Sequence, residues 1–292
     1  MTNADSEFFR PAEFWAEIGG LNVRYLDWGG DGPPIMALHG LASSANWYDI
    51  VAQLLRNYGR IIAPDQRGHG QTTQSPTGYD WQTLSSDIVG LMDHLGIDKA
   101  TVLGHSWGGN VAGNLAARFP ERVEKLVLID GGFSGRRQQP GVTWESFRER
   151  ARPRDVTGTR EEFLDRLRVQ LAECWSDELE RIVQTMVYED EEGQIKDILS
   201  PDNHAQVMKA MWDEPPSTTL PNVVCPALLV PAGPRPERAN SEFAKMREEN
   251  VELASKVIAN CQVHWIPDTM HDIGYHKPVE LAEVIGKFLA EQ

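Results

Sequence analysis

Residues 99–118 read Lys99-Ala-Thr-Val-Leu-Gly-His-Ser-Trp-Gly-Gly-Asn-Val-Ala-Gly-Asn-Leu-Ala-Ala-Arg118. Thr101, Val102 and Leu103 form a β-branched and apolar run, which predicts a buried strand. Small and apolar residues at helical spacing follow from Gly109 to Arg118. Between the two lies Gly104-His105-Ser106-Trp107-Gly108, a G-x-S-x-G pattern. A serine on so sharp a strand-to-helix turn is held in a strained conformation with its hydroxyl exposed. The glycines are needed because strand and helix backbones nearly touch. A Gly/Ser-rich surface loop would carry the same five letters, but would not place a strand before them and a helix after them. Ser106 is the candidate nucleophile.

Working outward, the same alternation continues on both sides. Residues 14–18 and 21–28 flank Gly19-Gly20 and predict a hairpin. Residues 35–38 form an apolar strand running into His39-Gly40-Leu41-Ala42-Ser43-Ser44, with a helix over 47–55. A strand over 60–63 leads into Pro64-Asp65-Gln66-Arg67-Gly68-His69-Gly70. Residues 79–96 carry a helical stripe of Leu84, Ile88, Leu91, Met92 and Leu95. Beyond the Ser106 turn, residues 123–129 form another apolar strand ending at Asp130-Gly131-Gly132. Near-continuous apolar strands alternating with helices imply right-handed crossovers and a mostly parallel sheet covered on both faces. Reactive groups in such sheets gather at the carboxyl ends of strands, where His39, Ser106 and Asp130 all stand.

The rhythm changes over residues 133–222. That stretch is rich in charge, and its apolar residues, Trp144, Phe147, Phe163, Leu167, Leu179, Ile182 and Met211 among them, recur at helical intervals without a strand signal. It reads as a helical cap or lid inserted into a core made of residues 1–132 and 223–292. Most of its apolar residues are expected to pack the insertion, and some to face a pocket. Strand–helix order resumes with a strand at 226–231, a helix over 240–259, a strand over 262–266, and a terminal helix opened by Pro278, a favoured first helical residue.

The 292 residues suffice for one large α/β domain with an insertion. A net charge of −15 and a pI near 5.0 argue against nucleic acid or an anionic membrane as partner. Cys174, Cys225 and Cys261 are scattered, without metal-ligand spacing. That usage suits a reducing cytoplasm, with no metal expected. The first ten residues lack the apolar core of a signal peptide. A small-molecule substrate, a monomer or homodimer, and no cofactor are the remaining expectations.

Taken together, the His39-Gly40 turn, the Asp65-x-Arg67-Gly68-x-Gly70 loop, the Ser106 turn, the helical insertion and a His271 followed by Pro278 resemble the α/β-hydrolase superfamily along nearly the whole chain. The resemblance implies chain order nucleophile, acid, histidine. His271 matches the family's histidine, since it follows the last strand and precedes the Pro278 helix. Many members carry the acid in Gly-x-x-Asp after the strand matching 228–230, but this chain reads Gly233-Pro234-Arg235-Pro236 there. Asp130 matches members that place the acid one strand earlier, and Glu237 is the alternative.

By the same resemblance, the backbone amides of Leu41 and Trp107 form the oxyanion hole, with Ala42 a nearby substitute. His39, Gly40, Trp47 and His105 are expected around the substrate. Asp65 and Arg67 are read as an ion pair bracing the turn. The chemistry that fits is a serine hydrolase acting on a small, largely apolar ester or lactone through an acyl-enzyme. Three other readings stay open at this point: a cofactor-free dioxygenase or lyase using only the His/Asp pair, a C–C bond hydrolase, and a non-catalytic receptor on the same scaffold.

Overall fold

The computed structural model describes residues 8–134, 141–154 and 156–291. Residues 1–7 of the stretch read for a leader, and 135–140 and 155 of the insertion, lie outside the described residues. Ten strands are described: β1 (Ala12–Ile18), β2 (Leu21–Gly29), β3 (Pro34–Leu38), β4 (Arg60–Pro64), β5 (Ala100–His105), β6 (Val123–Ile129), β7 (Val187–Glu189), β8 (Ile195–Asp197), β9 (Ala227–Val230) and β10 (Cys261–Val263). Eight form one sheet in the order β1-β2-β4-β3-β5-β6-β9-β10. The β1–β2 and β2–β4 pairs are antiparallel, and every later pair is parallel.

Strand alternation divides the core into two layers. Met36, Leu38, Val102, Leu126, Leu128 and Leu229 face the helices Trp81–His94 and Trp107–Arg118. Their neighbours Ile35, Ala37, Leu103, Val127, Ile129, Leu228 and Val230 face Asp49–Leu55 and Pro278–Ala290. Period-2 side chains that are apolar on both faces are what a parallel sheet sandwiched between helices requires. Cys174, Cys225 and Cys261 are free thiols. Among the described residues, no helix is long and apolar enough to cross a membrane.

Three expectations need correction. The insertion between β6 and β9 carries helices, but it also holds the antiparallel hairpin β7–β8. Three residues per strand are too few for an alternation signal, and the turn rests on Gly193 at φ 73°. The final strand of the sheet is shorter than 262–266, with Ile266 returning only as an isolated bridge to Ala232. Finally, Asp65 and Arg67 do not pair with each other. Arg67 forks onto Asp87 with two 2.8 Å bonds. Asp65 is fully buried and takes 2.9 Å from Arg24, with the Ala45 and Gln71 amides at 2.7 and 2.9 Å.

Two residues of one loop thus brace different elements, Arg67 the helix Trp81–His94 and Asp65 the strand β2. Removing the Asp65 carboxylate strands the Ala45 and Gln71 amides and leaves the buried Arg24 with only the half-exposed Glu13 as its carboxylate partner. Asp65→Ala is therefore expected to cost about 3–5 kcal/mol of folding stability. Urea unfolding checks this, read as a lower midpoint at an unchanged slope.

Candidate active site

Strand β5 ends at His105, and the helix Trp107–Arg118 begins two residues later. Ser106 joins them at φ 53°, ψ −121°, outside the regions L-residues favour. Such strain costs on the order of 1–3 kcal/mol and persists only where its surroundings enforce it. Here the Ser106 amide donates to the Ile129 carbonyl at 2.9 Å, tying the turn to β6. A Cβ on Gly104 would stand 2.3 Å from the Gly108 carbonyl oxygen, so only glycine permits the crossing.

Asp130 directly follows β6 and is itself at φ 49°. Its amide donates to the Val230 carbonyl at 3.0 Å, and its Oδ1 accepts from the Ala232 amide at 2.7 Å. His271 lies on the loop between β10 and the helix Ile273–His276. Its Nδ1 meets Asp130 Oδ2 at 2.6 Å, and its Nε2 meets Ser106 Oγ at 2.8 Å. With Nδ1–H donating a hydrogen bond to the carboxylate, Nε2 is left as the acceptor for the serine hydroxyl. Three side chains separated by 24 and 141 positions thus form one hydrogen-bonded line. Glu237 sits exposed on the short helix Pro236–Arg238, while Asp130 holds the imidazole.

The first amides of a helix have no intrahelical partner, and Trp107 is the first residue of its helix. Leu41 is followed by Ala42 at φ 53°, a left-handed turn that carries this loop past the nucleophile. Two chambers meet at Ser106. One, of about 440 Å³, is walled by Trp47, Phe163, Leu167, Met186 and Tyr275. The other, of about 380 Å³, is walled by Trp107, Asn110, Phe133, Met208 and Met211. Leu41, Ser106 and His271 border both.

Gly40, Trp47 and His105 line the first chamber, but His39 does not. It is fully buried behind the wall, where its Nε2 accepts from the Gln66 amide at 3.0 Å and its Nδ1 donates to the Gly40 carbonyl at 2.8 Å. That corrects the expectation of substrate contact. His39 shapes the Gly40–Leu41 turn from beneath. His105 stacks on Trp47 at 4.0 Å between ring centroids and donates from Nε2 to the His271 carbonyl at 3.1 Å. It therefore holds the loop that presents His271.

Two contacts around this line are absent from the sequence reading. Trp47 Nε1 donates to Asp272 at 2.9 Å, anchoring the residue beside His271. Arg247, on the helix Glu242–Val257, forms an ion pair with Asp130 Oδ1. A signal for it existed. Ala244, Val251, Ala254 and Ile258 are the buried residues of that segment, and Arg247 occupies the 3–4 spacing between the first two. A cation standing in an apolar stripe is the anomaly that marks a partner.

Burial pushes the His271 pKa below its ordinary value; Asp272 raises it and Arg247 lowers it. The side chain is ringed by the chamber walls, yet 52% of it meets chamber solvent, which tempers the effect of burial until that water is displaced. His39, His69 and His105 are held down to about 4, 3 and 3 by burial, so they are neutral throughout the working range. The reactive form needs a neutral His271. A lowered pKa keeps that form present below pH 6.5, with loss of activity as pH falls through the shifted value. The acid limb of kcat/KM is accordingly expected to lie below 6.5. A pH–rate profile on a non-ionising substrate reads this directly.

A sheet of this order, with a strained serine turn, an acid after β6 and a histidine after the last strand, defines a recognisable class of protein. Residues 33–219 match the family model described as the alpha/beta hydrolase fold, and the chain belongs to that family. Soluble epoxide hydrolase of Corynebacterium sp. (strain C12) is 38% identical over 116 residues, 39% of this chain and 40% of that protein. Non-heme chloroperoxidase of Streptomyces lividans is 40% identical over 113 residues, 38% of this chain and 41% of that protein. The chain thus matches about 40% of the length of these curated relatives. Among solved structures, E-2-(acetamidomethylene)succinate hydrolase superposes with a TM-score of 0.76 at 20% identity, covering 96% of this chain and 100% of that one. At that identity the likeness speaks for the fold.

Proposed function

We propose that the chain is a serine hydrolase that cleaves a small, largely apolar carboxylic ester or lactone through an acyl-enzyme. The observation that carries this reading is the continuous line Ser106 Oγ–His271 Nε2, His271 Nδ1–Asp130 Oδ2, at 2.8 and 2.6 Å. Ser106 Oγ attacks the carbonyl carbon while His271 Nε2 takes its proton, and Asp130 stabilises the resulting imidazolium. The oxyanion develops toward the Trp107 and Leu41 amides, each such donor being worth about 3–4 kcal/mol elsewhere. His271 then returns the proton to the leaving alcohol oxygen as the carbonyl–oxygen bond breaks. Water, deprotonated by the same imidazole, splits the acyl–serine ester, regenerating Ser106 and releasing the acid.

The relative named for epoxide chemistry does not transfer its activity to this chain. An alkyl-enzyme route needs a carboxylate at the nucleophile position, and this chain has Ser106 there. The residues of the insertion that wall the chambers act, in this reading, as a lid that sets substrate shape. Labelling by a fluorophosphonate probe tests the proposal. Wild-type protein is expected to carry one label, on Ser106. An unlabelled serine, together with inert short 4-nitrophenyl esters and lactones, would sink it. Oxygen uptake that survives Ser106→Ala but not His271→Ala would instead favour the dioxygenase reading.

A further inference from the structure

The charged side chains bordering the two chambers run against the balance of the chain. Overall the protein carries 43 acidic and 28 basic residues. Among the described residues, four arginines stand around Ser106, Arg152, Arg154, Arg166 and Arg247, against the two carboxylates Asp130 and Asp272. Arg154 is paired with Asp197, and Arg166 donates to the Thr157 carbonyl. In the second chamber the single carboxylate, Asp130, is already shared among His271, the Ala232 amide and Arg247.

Of these four, Arg247 is set deepest. Only 15% of its side chain is exposed, and its Nε is buried without a hydrogen-bond partner. A guanidinium has five N–H donors in a planar fork, and one oxygen of Asp130 cannot satisfy them. Leaving donors of a buried charged group unmet is costly, and a planar carboxylate is the ligand that fits the fork. The rest of the second chamber is mostly apolar, with Phe133, Met208, Met211 and Phe243, plus the amides of Asn110 and Asn250. Such walls suit a short hydrocarbon stem between the acid and the reacting carbonyl.

We propose that the substrate is a carboxylate-bearing ester or lactone whose acid group binds Arg247 in the second chamber, its apolar end lying in the first. This rests on the hydrolytic reading, and the test separates the two. Matched pairs that differ by one charge are compared: 4-acetoxybenzoate with 4-acetoxybenzamide, and phenyl hydrogen adipate with phenyl adipamate. 4-Nitrophenyl acetate serves as the uncharged reference. In at least one pair the anion is expected to exceed the amide in kcat/KM by about tenfold or more, the range of a charge-assisted hydrogen bond.

Arg247→Gln, which keeps a donor for Asp130 but loses the charge, is expected to erase that ratio whatever it does to the reference rate. Asn250→Asp, which adds a negative charge to the same chamber, is expected to lower the anion-to-amide ratio about tenfold whatever it does to the amide rates, and it decides the matter if Arg247→Gln does not fold. Hydrolysis of the reference without preference for either anion overturns the inference and leaves the hydrolytic reading standing. A preference untouched by Arg247→Gln or by Asn250→Asp also overturns it, since Arg247 would then only brace Asp130. Failure to hydrolyse the reference and every member of both pairs, with Ser106 unlabelled by the probe, brings down both.

Discussion

Ser106→Ala is expected to lower kcat for ester hydrolysis by about six orders of magnitude, the loss seen where a serine nucleophile acts as one unit with its base. The reason lies in the geometry. His271 Nε2 faces Ser106 Oγ at 2.8 Å, so the imidazole has no other hydroxyl in line to activate. Without Oγ the remaining assistance is what binding and the backbone amides of the turn supply, a residual of about 10³–10⁴ over water. The fold should survive, because Ser106 is held through its amide bond to Ile129 rather than through its side chain. Single-turnover and steady-state rates with 4-nitrophenyl acetate measure the loss, with circular dichroism as the control. Retention of more than about a hundredth of the wild-type rate would place the nucleophile elsewhere.

Asp130→Asn carries the second largest effect, about 10⁴ in kcat near neutral pH. Here the surroundings dictate how the amide must sit. Asp130 Oδ1 faces two donors, the Ala232 amide at 2.7 Å and Arg247, so the asparagine has to place its oxygen there. Its NH₂ group then occupies the Oδ2 position and points at His271 Nδ1. That forces Nδ1 to accept and puts the ring proton on Nε2, the wrong tautomer to take a proton from Ser106. The variant should fold, bind and label slowly. Histidine ring NMR would report the tautomer, and a rate within tenfold of wild type would mean that Asp130 does not orient the base.

Much of this was legible before any coordinates. The alternation of apolar strands and helices on either side of Gly104-His105-Ser106-Trp107-Gly108 specified a mostly parallel sheet, because helices on both faces are what bury both sides of its central strands. The absence of an aspartate in Gly233-Pro234-Arg235-Pro236 directed attention to Asp130, which is the carboxylate that meets His271. Less legible was anything set by the choice of partner across the chain. Asp65 and Arg67 stand two residues apart, yet they pair with Arg24 and Asp87. His39 looked like a pocket residue because it ends a strand, but its ring turns under the Gly40 loop. In the insertion, strands of three residues gave no period to read.

The linear chain by itself determined the architecture and the strained serine turn, since periodicity and glycine placement are local properties written in neighbouring residues, and Asp130 and His271 followed from the family resemblance. What tertiary structure alone decided is the field around those groups. Arg247 reaches Asp130 from 117 positions away, and Trp47 holds Asp272 from 225 away. Long-range pairing depends on how helices settle on the sheet, a balance of packing over the whole core that no short stretch of sequence encodes.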